Sequence, residues 1–321
     1  MSDYHPPLRR TPSRPFDAIR QRTITPLDTP AIRMPVETSL LFPLTSEELR
    51  ARVRSALEED QVKNDVSTVA TVVSTRHVRS QLVARSEGVI AGIALAVEAF
   101  RQLDPGVTIR MEAEDGMRVK AGGTVLHLTG NARGMLSAER VALNFLQHLS
   151  GIATLTATFV ALVKGTSAQI LDTRKTLPGW RSLQKYAVRA GGGMNHRMDL
   201  RSVLIKDNHL AAIGGDVATA VMRARAIALP GAPVQVECDN LGQVDMALDA
   251  GADSILLDNM SLDTLREAVA RCRNRALTEA SGGVNVGTVR AIAETGVDRI
   301  SIGALTHSAP SLDLALDFEG L

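Results

Sequence analysis

Residues 171–209 read LDTRKTLPGWRSLQKYAVRAGGGMNHRMDLRSVLIKDNH. Two apolar runs, 169–171 and 202–205, each stop at charged residues, and a triple glycine at 191–193 lies between them. Arginine forks match the paired oxygens of carboxylates and phosphates, and glycine lets backbone N–H groups approach an anion closely. The stretch therefore predicts a pocket for a strongly negative ligand. Its candidate anion-binding residues are Arg174, Lys175, Arg181, Lys185, His196, Arg197 and Lys206.

The pattern of an apolar run followed by polar residues recurs through the rest of the second half. The polar endings come about 20 to 35 residues apart, the length of one strand–helix unit. Helical patterns at 216–228, 241–250, 262–276 and 286–294 separate them. Alternating strands and helices predict a parallel sheet, and polar residues at nearly every strand end favour a barrel over a doubly wound sheet. Six units are clear, so we expect an incomplete α/β barrel.

The first half has a different pattern, which predicts an α+β unit with antiparallel strands. Thr45 and Glu48 form a capping box before a helix at 45–60, and a second helix is predicted at 88–103. Runs rich in β-branched residues predict strands at 66–73, 78–84, 107–113, 117–119 and 124–128. Ser137 is predicted to cap an apolar helix at 138–149, where this half ends.

The composition argues against several classes of function. The chain has 321 residues, a formal net charge of +1 and 3% aromatic residues, which gives no reason to expect nucleic-acid binding. Its two cysteines fit a reducing, cytoplasmic location and cannot build a disulfide framework or a thiolate zinc site. No apolar run approaches the roughly 18 residues of a membrane span. We therefore expect one large or two ordinary domains, without a nucleic-acid or membrane partner.

Residues 1–44 stand apart from both halves. They are rich in proline and contain six arginines before residue 34, with no sustained helical or strand period. We expect a disordered or loosely docked extension. A transit peptide is the alternative, although the prolines oppose the amphipathic helix that this role requires.

Carboxylates and glycines follow the later strands. Glu237, Asp239 and Asp258 could pair with the basic cluster, bind Mg²⁺ or accept hydrogen bonds from sugar hydroxyls. Two glycine-rich turns after the last strands could cradle a phosphate with their backbone N–H groups. These turns comprise Ser281, Gly282, Gly283, Ile302, Gly303 and Ala304.

Three further features have competing interpretations. Lys206 could be an ion-pair partner, a Schiff-base nucleophile or a charge that binds an anionic substrate, and nearby acidic residues oppose the depressed pKa that a Schiff base needs. His148 and His196 lack the spacing of a zinc site. Arg140 lies on the predicted apolar helix, outside the strand–helix units, and by itself is typical of a surface residue.

Seven long motifs, in order, resemble the quinolinate phosphoribosyltransferase family (nicotinate-nucleotide pyrophosphorylase, carboxylating). They are SAERVALNFLQHLSGIAT, LDTRKTLPGWR, KYAVRAGGGMNHRMDL, LIKDNHL, VECDNL, ILLDNM and EASGGVN. The resemblance covers roughly residues 45–318 and departs from the family at 59–68, where EDQVKNDVST stands in place of a glycine-containing loop. It implies an N-terminal α/β sandwich domain at 45–142, joined by the C-terminal tail 308–321, and an incomplete barrel at 143–307.

The resemblance also implies a reaction. Quinolinate and 5-phosphoribosyl 1-diphosphate would give nicotinate mononucleotide, diphosphate and CO2 in NAD biosynthesis, with Mg²⁺ and without an organic cofactor. It implies a homodimer, or a higher homo-oligomer, in which Arg140 reaches the partner's site. Matching positions imply that the residues binding the quinolinate carboxylates are Arg140, Arg174, Lys175, His196, Arg197 and Lys206.

The same resemblance implies that Glu237 and Asp258 bind Mg²⁺ and the ribose, with Asp239 a weaker candidate. Thr173 would line the substrate pocket, and the two glycine-rich turns would hold the 5-phosphate. The implied catalytic residues are Lys175, Lys206, Glu237 and Asp258. Three alternatives remain open: a nicotinate-type phosphoribosyltransferase, a Schiff-base barrel lyase, and a non-catalytic paralogue that binds anions.

Overall fold

The computed structural model describes residues 40–319, so nearly all of the predicted N-terminal extension lies outside the described residues. The helices are α1 (Ser46–Glu59), α2 (Val66–Thr71), α3 (Ile93–Leu103), α4 (Ala132–Leu162), α5 (Arg181–Ala190), α6 (Asp207–Ala212), α7 (Val217–Ile227), α8 (Leu241–Asp249), α9 (Leu262–Cys272), α10 (Val289–Ala293) and α11 (Ala304–His307). The strands are β1 (His77–Ala84), β2 (Gly88–Val89), β3 (Thr108–Met111), β4 (Arg118–Val119), β5 (Thr124–Asn131), β6 (Gln169–Leu171), β7 (Val203–Ile205), β8 (Val234–Cys238), β9 (Ser254–Asp258), β10 (Leu277–Ser281), β11 (Arg299–Ser301) and β12 (Leu314–Phe318).

The first sheet is antiparallel, as predicted, and has the strand order β12-β1-β5-β3. Leu82 of β1 stands opposite Leu126 of β5 and Leu316 of β12, so the last strand of the chain lies beside the first. Helix α1 begins with the predicted capping box of Thr45 and Glu48. Helix α3 starts at Ile93 rather than at residue 88, because β2 pairs with β4 as a short strand.

The strand predicted at 66–73 is wrong, because this segment contains helix α2. Asp65 caps the helix: its carboxylate accepts a hydrogen bond from the backbone N–H of Thr68 at 2.9 Å. Thr68 is the buried residue of the helix, whereas Val66 and Val69 are exposed. The β-branched residues suggested a strand, but strand preference depends on packing against a sheet, and these valines have no such neighbours.

The helix predicted at 138–149 is part of the 31-residue α4. Asn131, not Ser137, caps it, because the Asn131 side chain accepts hydrogen bonds from the backbone N–H groups of Arg133 and Gly134. Ser137 lies inside the helix and donates to Asp65 at 2.7 Å. Among residues 40–319, α4 alone is long and apolar enough to pass a membrane-span test, but half of its apolar window is buried inside the protein. Its packing against α3 and α5 is that of a core helix.

The second sheet has six parallel strands in the order β6-β11-β10-β9-β8-β7. The strands follow chain order around the sheet, and within the described residues no ladder joins β6 to β7. A ring in chain order with one open seam is the predicted incomplete barrel. At the seam, the loop after α5 runs beside β6: Met194 forms a parallel bridge with Leu171, and its carbonyl accepts from the Asp172 N–H at 3.2 Å.

Candidate active site

The carboxyl ends of the six parallel strands bring predicted site residues to one face of the sheet. Lys206 follows β7, Glu237 lies near the end of β8 and Asp258 ends β9. Asp258 stands opposite Ser281, the last residue of β10, in the parallel register. Because parallel strands end on the same side, these residues share a face with the basic pair that follows β6.

A buried ion pair supports the loops at the open seam. Asp172 and Lys185 are both buried and bonded to each other. Asp172 also accepts from the Asn195 side chain at 2.6 Å and the His196 N–H at 2.8 Å, while Lys185 donates to the His196 carbonyl at 3.1 Å. Burial raises the pKa of Asp172 and lowers the pKa of Lys185, and their mutual attraction opposes both shifts. The pair therefore positions the chain at His196.

Two of the seven predicted anion-binding residues are thus bonded to other residues of the protein. Lys185 belongs to the buried ion pair. Arg181 donates from Nε to the Thr176 hydroxyl at 3.0 Å and from its guanidinium to the Met198 carbonyl at 3.1 Å. Both residues hold the loops around the site, so the charges offered to a ligand must come from the other members of the set.

Arg174 and Arg197 are neighbouring cations at this face. Burial lowers the pKa of Arg197, Arg174 lowers it further, and Glu237 raises it. Among the described residues, Nε of Arg174 is buried without a hydrogen-bond partner. Arg197 donates to the Ser202 carbonyl at 2.9 Å. Since a buried unpaired donor is costly and like charges repel, this arrangement indicates an anion site.

Lys206 and Glu237 form an ion pair beside the two arginines. The Glu237 side chain is 8% exposed and the Lys206 side chain is 44% exposed, so the lysine end of the pair faces solvent. Asp258 accepts from the Asn259 side chain at 2.7 Å, and the weaker candidate Asp239 is exposed. Within residues 40–319, no group of three or more His, Cys, Asp or Glu residues could hold a metal ion.

Two tight turns expose backbone at the ends of β10 and β11. Gly282 has a φ of +90°, and a Cβ there would collide with the Asn259 side chain. At Gly303, a Cβ would lie 3.0 Å from Cδ of Lys175 and 3.1 Å from Nε2 of His307. The sequence analysis missed His307, although its position one helical turn after Gly303 was a usable signal. Backbone N–H groups that no side chain covers, next to the side chains of Lys175 and His307, suit the binding of a phosphate.

A neutral histidine on α4 supports the Lys175 loop. His148 accepts at Nε2 from the Gln184 amide at 3.0 Å, and the Gln184 oxygen accepts from the Leu177 N–H at 3.0 Å. The Thr173 hydroxyl accepts from the Lys175 N–H at 3.0 Å and fixes the start of the same loop. Burial lowers the pKa of His148. An apolar helix gave no sign of this role, because the partners of His148 come from distant segments.

This histidine predicts a loss of stability in mild acid. Burial holds the pKa of His148 in the folded chain below the ordinary histidine value of about 6.5, so below about pH 6.5 the unfolded chain binds a proton that the folded chain resists. The stability cost grows by at most about 1.4 kcal/mol per pH unit until the folded-state pKa is reached. His148→Asn should remove this loss of stability in mild acid. We expect the melting temperature of the wild type to exceed that of the variant by less at pH 5.5 than at pH 7.5. The same excess at both pH values would contradict the assignment.

Arg140 lies on α4 and not at a strand end or in the loops that follow the strands. It is exposed on α4, three residues beyond Ser137, which bonds to Asp65 before α2. Among the described residues its side chain makes no hydrogen bond or ion pair with the strand-end cluster. The adjacent Glu139 has a pKa raised by burial, an effect that Arg140 opposes.

Comparison with known proteins finds family matches that cover residues of both sheets. Residues 65–150 match the family model described as quinolinate phosphoribosyl transferase, N-terminal domain, and residues 152–317 match the C-terminal domain. The nicotinate-nucleotide pyrophosphorylase (carboxylating) of Mycobacterium leprae is 45% identical over 275 residues, covering 84% of this chain and 96% of its own. The probable enzyme of that name from Bacillus subtilis is 42% identical over 251 residues, covering 78% and 86%.

Solved structures share the fold. The nicotinate-nucleotide pyrophosphorylase of Francisella tularensis has a TM-score of 0.81 and 37% identity, over 87% of this chain and 99% of its own. NadC of Streptococcus pyogenes has a TM-score of 0.81 and 40% identity, over 86% and 98%. The predicted α/β fold with an incomplete barrel is confirmed. With both domain models matched and relatives above 40% identity over most of the chain, the protein belongs to the quinolinate phosphoribosyltransferase family.

Proposed function

We propose that the protein joins quinolinate to 5-phosphoribosyl 1-diphosphate and forms nicotinate mononucleotide, diphosphate and CO2, a step of NAD biosynthesis. The bacterial relatives are named nicotinate-nucleotide pyrophosphorylase (carboxylating), and tobacco relatives quinolinate phosphoribosyltransferase (decarboxylating). The observation that carries the proposal is the Arg174–Arg197 pair, with a buried unpaired Nε on Arg174. Two adjacent guanidinium groups match a dicarboxylate better than a monocarboxylate.

The quinolinate carboxylates would bind the basic residues at the strand ends. Charge-assisted hydrogen bonds contribute roughly 1.5–3 kcal/mol each, so two or three of them select a dianion. We expect the retained 3-carboxylate to be held more firmly than the 2-carboxylate, because a pocket that stabilised the departing group would slow its loss. The residues assigned to this pocket are Arg174, Lys175, His196, Arg197 and Lys206, with Thr173 lining it and Arg140 supplied by a partner subunit.

Replacing Arg174 with alanine should weaken quinolinate binding by about 2 kcal/mol or more, roughly 30-fold in Kd. The substitution removes a guanidinium that has a buried, unpaired Nε and whose charge lowers the pKa of Arg197. Calorimetric titration with quinolinate measures the change. Arg266→Ala is a matched control, because Arg266 forms an exposed pair with Asp263 on α9. Unchanged affinity in the Arg174 variant would contradict the assignment.

The sugar diphosphate would lie across the remaining strand ends. Its 5-phosphate fits the two turns at Ser281–Gly283 and Ile302–Ala304, beside Lys175 and His307. Glu237 and Asp258 would hold Mg²⁺ and the ribose. Two carboxylates without a third protein ligand fit a cation that shares its coordination with substrate phosphates. When bound, Mg²⁺ supplies positive charge that offsets the charge on the leaving diphosphate.

The chain's own residues account for the order of bond changes. Glu237 and Asp258 stabilise the positive charge that develops on the ribose as diphosphate departs. The basic pocket orients quinolinate so that its ring nitrogen attacks the anomeric carbon. When the adjacent carboxylate leaves as CO2, its bonding electron pair stays on the ring carbon as an ylide that the pyridinium charge stabilises, and a proton from solvent then completes nicotinate mononucleotide. A phosphoribosyltransferase typically needs no organic cofactor, and here the substrate ring is itself the electron sink.

The ion pair of Lys206 argues against a Schiff-base lyase. Its side-chain nitrogen is bound in an ion pair with the Glu237 carboxylate, whereas a Schiff-base nucleophile must be a free amine. Borohydride trapping of a substrate on Lys206 would reverse this conclusion. Lys206 would instead hold the substrate carboxylate and keep Glu237 oriented toward the ribose.

A homodimer, or a higher homo-oligomer built from it, would complete the site. Two exposed apolar surfaces support this assembly: a valine patch (Val66, Val69 and Val73) near Arg140, and a mouth patch (Leu177, Met198 and Leu200) on loops around the site. Exposed apolar patches mark surfaces that other chains cover. If the valine patch of one subunit covers the mouth patch of its partner, Arg140 is carried toward the partner's quinolinate pocket.

The domain boundaries and the cellular location are also proposals. We divide the chain into residues 45–142 with the tail 308–321, and residues 143–307; support comes from the pairing of β12 with β1 and from the separate antiparallel and parallel sheets. A cytoplasmic location is supported by two buried free cysteines, since a reducing compartment keeps thiols free. We propose no nucleic-acid or membrane partner.

Turnover with quinolinate and with nicotinate separates the proposal from its nearest rival. Purified protein, 5-phosphoribosyl 1-diphosphate and Mg²⁺ would be incubated with either acid, and nicotinate mononucleotide would be quantified by chromatography. The proposal predicts product from quinolinate and little from nicotinate. Equal or greater product from nicotinate would identify a nicotinate-type phosphoribosyltransferase.

A further inference from the structure

The interior of the parallel sheet contains a carboxylate that no step above uses. Glu279 lies on β10, two residues before Ser281, and is fully buried. Its Oε2 accepts from the Gln235 amide at 2.9 Å, and that amide also lies 3.4 Å from the Ser254 hydroxyl. Among the described residues, Oε1 of Glu279 is buried without an aligned hydrogen-bond partner. A buried carboxylate is costly, so its presence beneath the site calls for a role.

The ring of His196 faces this oxygen. Its Nε2 lies 3.2 Å from Oε1 of Glu279. On the other side of the ring, Nδ1 accepts from the backbone N–H of Arg197 at 2.7 Å. Because an N–H group points at Nδ1, the ring proton must lie on Nε2, toward Glu279. Nδ1 is therefore engaged by the main chain, and Nε2 faces Oε1 of Glu279 at 3.2 Å without the alignment of a full hydrogen bond.

The ionised state of Glu279 agrees with this arrangement. Burial alone raises the pKa of Glu279, but contacts with His196, Gln235 and Ser301 outweigh burial and bring the pKa below its usual value. An ionised carboxylate is an acceptor only, so it favours a proton on the facing nitrogen. The main chain of His196 is held separately by Asp172 and Lys185.

We propose that Glu279 is a positioning residue: it holds the proton of His196 on Nε2, and Nδ1 of His196 in turn fixes the main chain of Arg197. His196 then contributes to the quinolinate pocket by placing Arg197, and this role replaces the direct contact with a carboxylate that is assigned to His196 above. The inference rests on the proposed function, because the benefit of an ordered Arg197 is the binding of quinolinate. Glu279 would thus be a site residue that lies in the interior of the sheet, whereas the other strand residues of the site lie at strand ends.

The conservative change Glu279→Gln tests this chain of contacts. Gln235 donates to one oxygen of Glu279, so a new amide would turn its own oxygen toward Gln235 and its NH2 group toward His196. An NH2 donor facing Nε2 moves the ring proton to Nδ1, where it meets the N–H of Arg197. That clash should displace Arg197 while leaving the shape of the core unchanged.

We expect Glu279→Gln to raise KM for quinolinate by about 10- to 100-fold, as other supporting contacts do when removed. KM for 5-phosphoribosyl 1-diphosphate and the melting temperature should change little. Asp298→Asn is the matched control. Asp298 accepts from the N–H and hydroxyl of Thr278 near the amino end of β10, so this variant should lower stability without changing the quinolinate KM. An unchanged quinolinate KM in Glu279→Gln, or equal effects on both substrates, would overturn the proposal.

Nitrogen NMR of the histidine rings tests the tautomer that the proposal requires even if the variant fails to fold. With 15N-labelled histidine, and His196 assigned from a His196→Gln spectrum, wild-type protein at neutral pH should show a protonated Nε2 and an unprotonated Nδ1. A protonated Nδ1 would overturn the proposal. This measurement does not depend on turnover, so an inactive wild type would refute the proposed function while the ring tautomer still tests the inference.

Discussion

Replacing Arg140 with alanine should reduce turnover by about 10²- to 10³-fold, toward the assay background, without unfolding the protein. Arg140 is exposed on α4, so the change leaves no buried partner behind. In the proposed dimer the guanidinium reaches a carboxylate of quinolinate in the other subunit, where water is excluded and one charge-assisted bond has a large effect. Steady-state CO2 release and a melting curve measure the two expectations separately.

Mixing two inactive variants tests whether the site is shared. Arg140→Ala keeps an intact barrel, and Glu237→Gln keeps an intact Arg140. In a hybrid dimer, the intact barrel of the first variant faces the intact Arg140 of the second, so one of two sites is complete. Random reassociation makes about half of the dimers hybrid, so the mixture should recover about a quarter of wild-type activity.

The hybrids must be isolated for the result to be decisive. Different affinity tags on the two variants, followed by two purification steps, yield hybrid dimers alone, and these should have about half the wild-type activity per dimer. Each variant mixed with itself serves as the control. Purified hybrids without activity would show that Arg140 does not act across the interface.

The second large effect concerns the ion pair that holds the seam of the barrel. Asp172→Ala should lower the free energy of unfolding by about 3–5 kcal/mol, because it leaves the ammonium of Lys185 buried without its counter-ion. The loss also frees the Asn195 side chain and the His196 N–H, which Asp172 now binds. Quinolinate affinity should therefore fall together with stability. Urea unfolding and calorimetric titration measure the two changes.

A double variant separates the buried charge from the packing. Asp172→Leu combined with Lys185→Met removes both ions and fills similar volume, and such replacements are often neutral or stabilising. The double variant should be more stable than either single variant, although His196 still loses two bonds. A double variant whose loss equals the sum of the two single losses would show that the pair does not act as a unit.

The strand-end residues could be predicted from the sequence because a parallel sheet leaves few alternatives. Each apolar run ends in polar residues, and parallel strands end on one side. The register of Asp258 with Ser281 is the direct outcome of this rule. In contrast, Val66 and Val69 suggested a strand, because local preference does not show whether a sheet is available for packing.

The supporting residues could not be predicted, since their roles depend on contacts between distant segments. Lys185 looked like an anion ligand until its burial against Asp172 was visible. The sequence places Glu279 among the polar residues that close its apolar run, and its contacts with Gln235 of β8 and with His196 become visible only in the structure. The hydrophobic periodicity of a sequence shows which face of a helix or strand is buried, but it does not show which polar side chains meet in the interior of the protein.

The most direct test of the account is CO2 release from quinolinate labelled in its 2-carboxylate. The reaction would contain purified protein, 5-phosphoribosyl 1-diphosphate and Mg²⁺, with each component omitted in turn. The account predicts label release that needs all components and equals the nicotinate mononucleotide formed. Absence of release from a folded dimer, even when quinolinate raises its melting temperature, would contradict the account and identify a protein that binds the anion without turning it over.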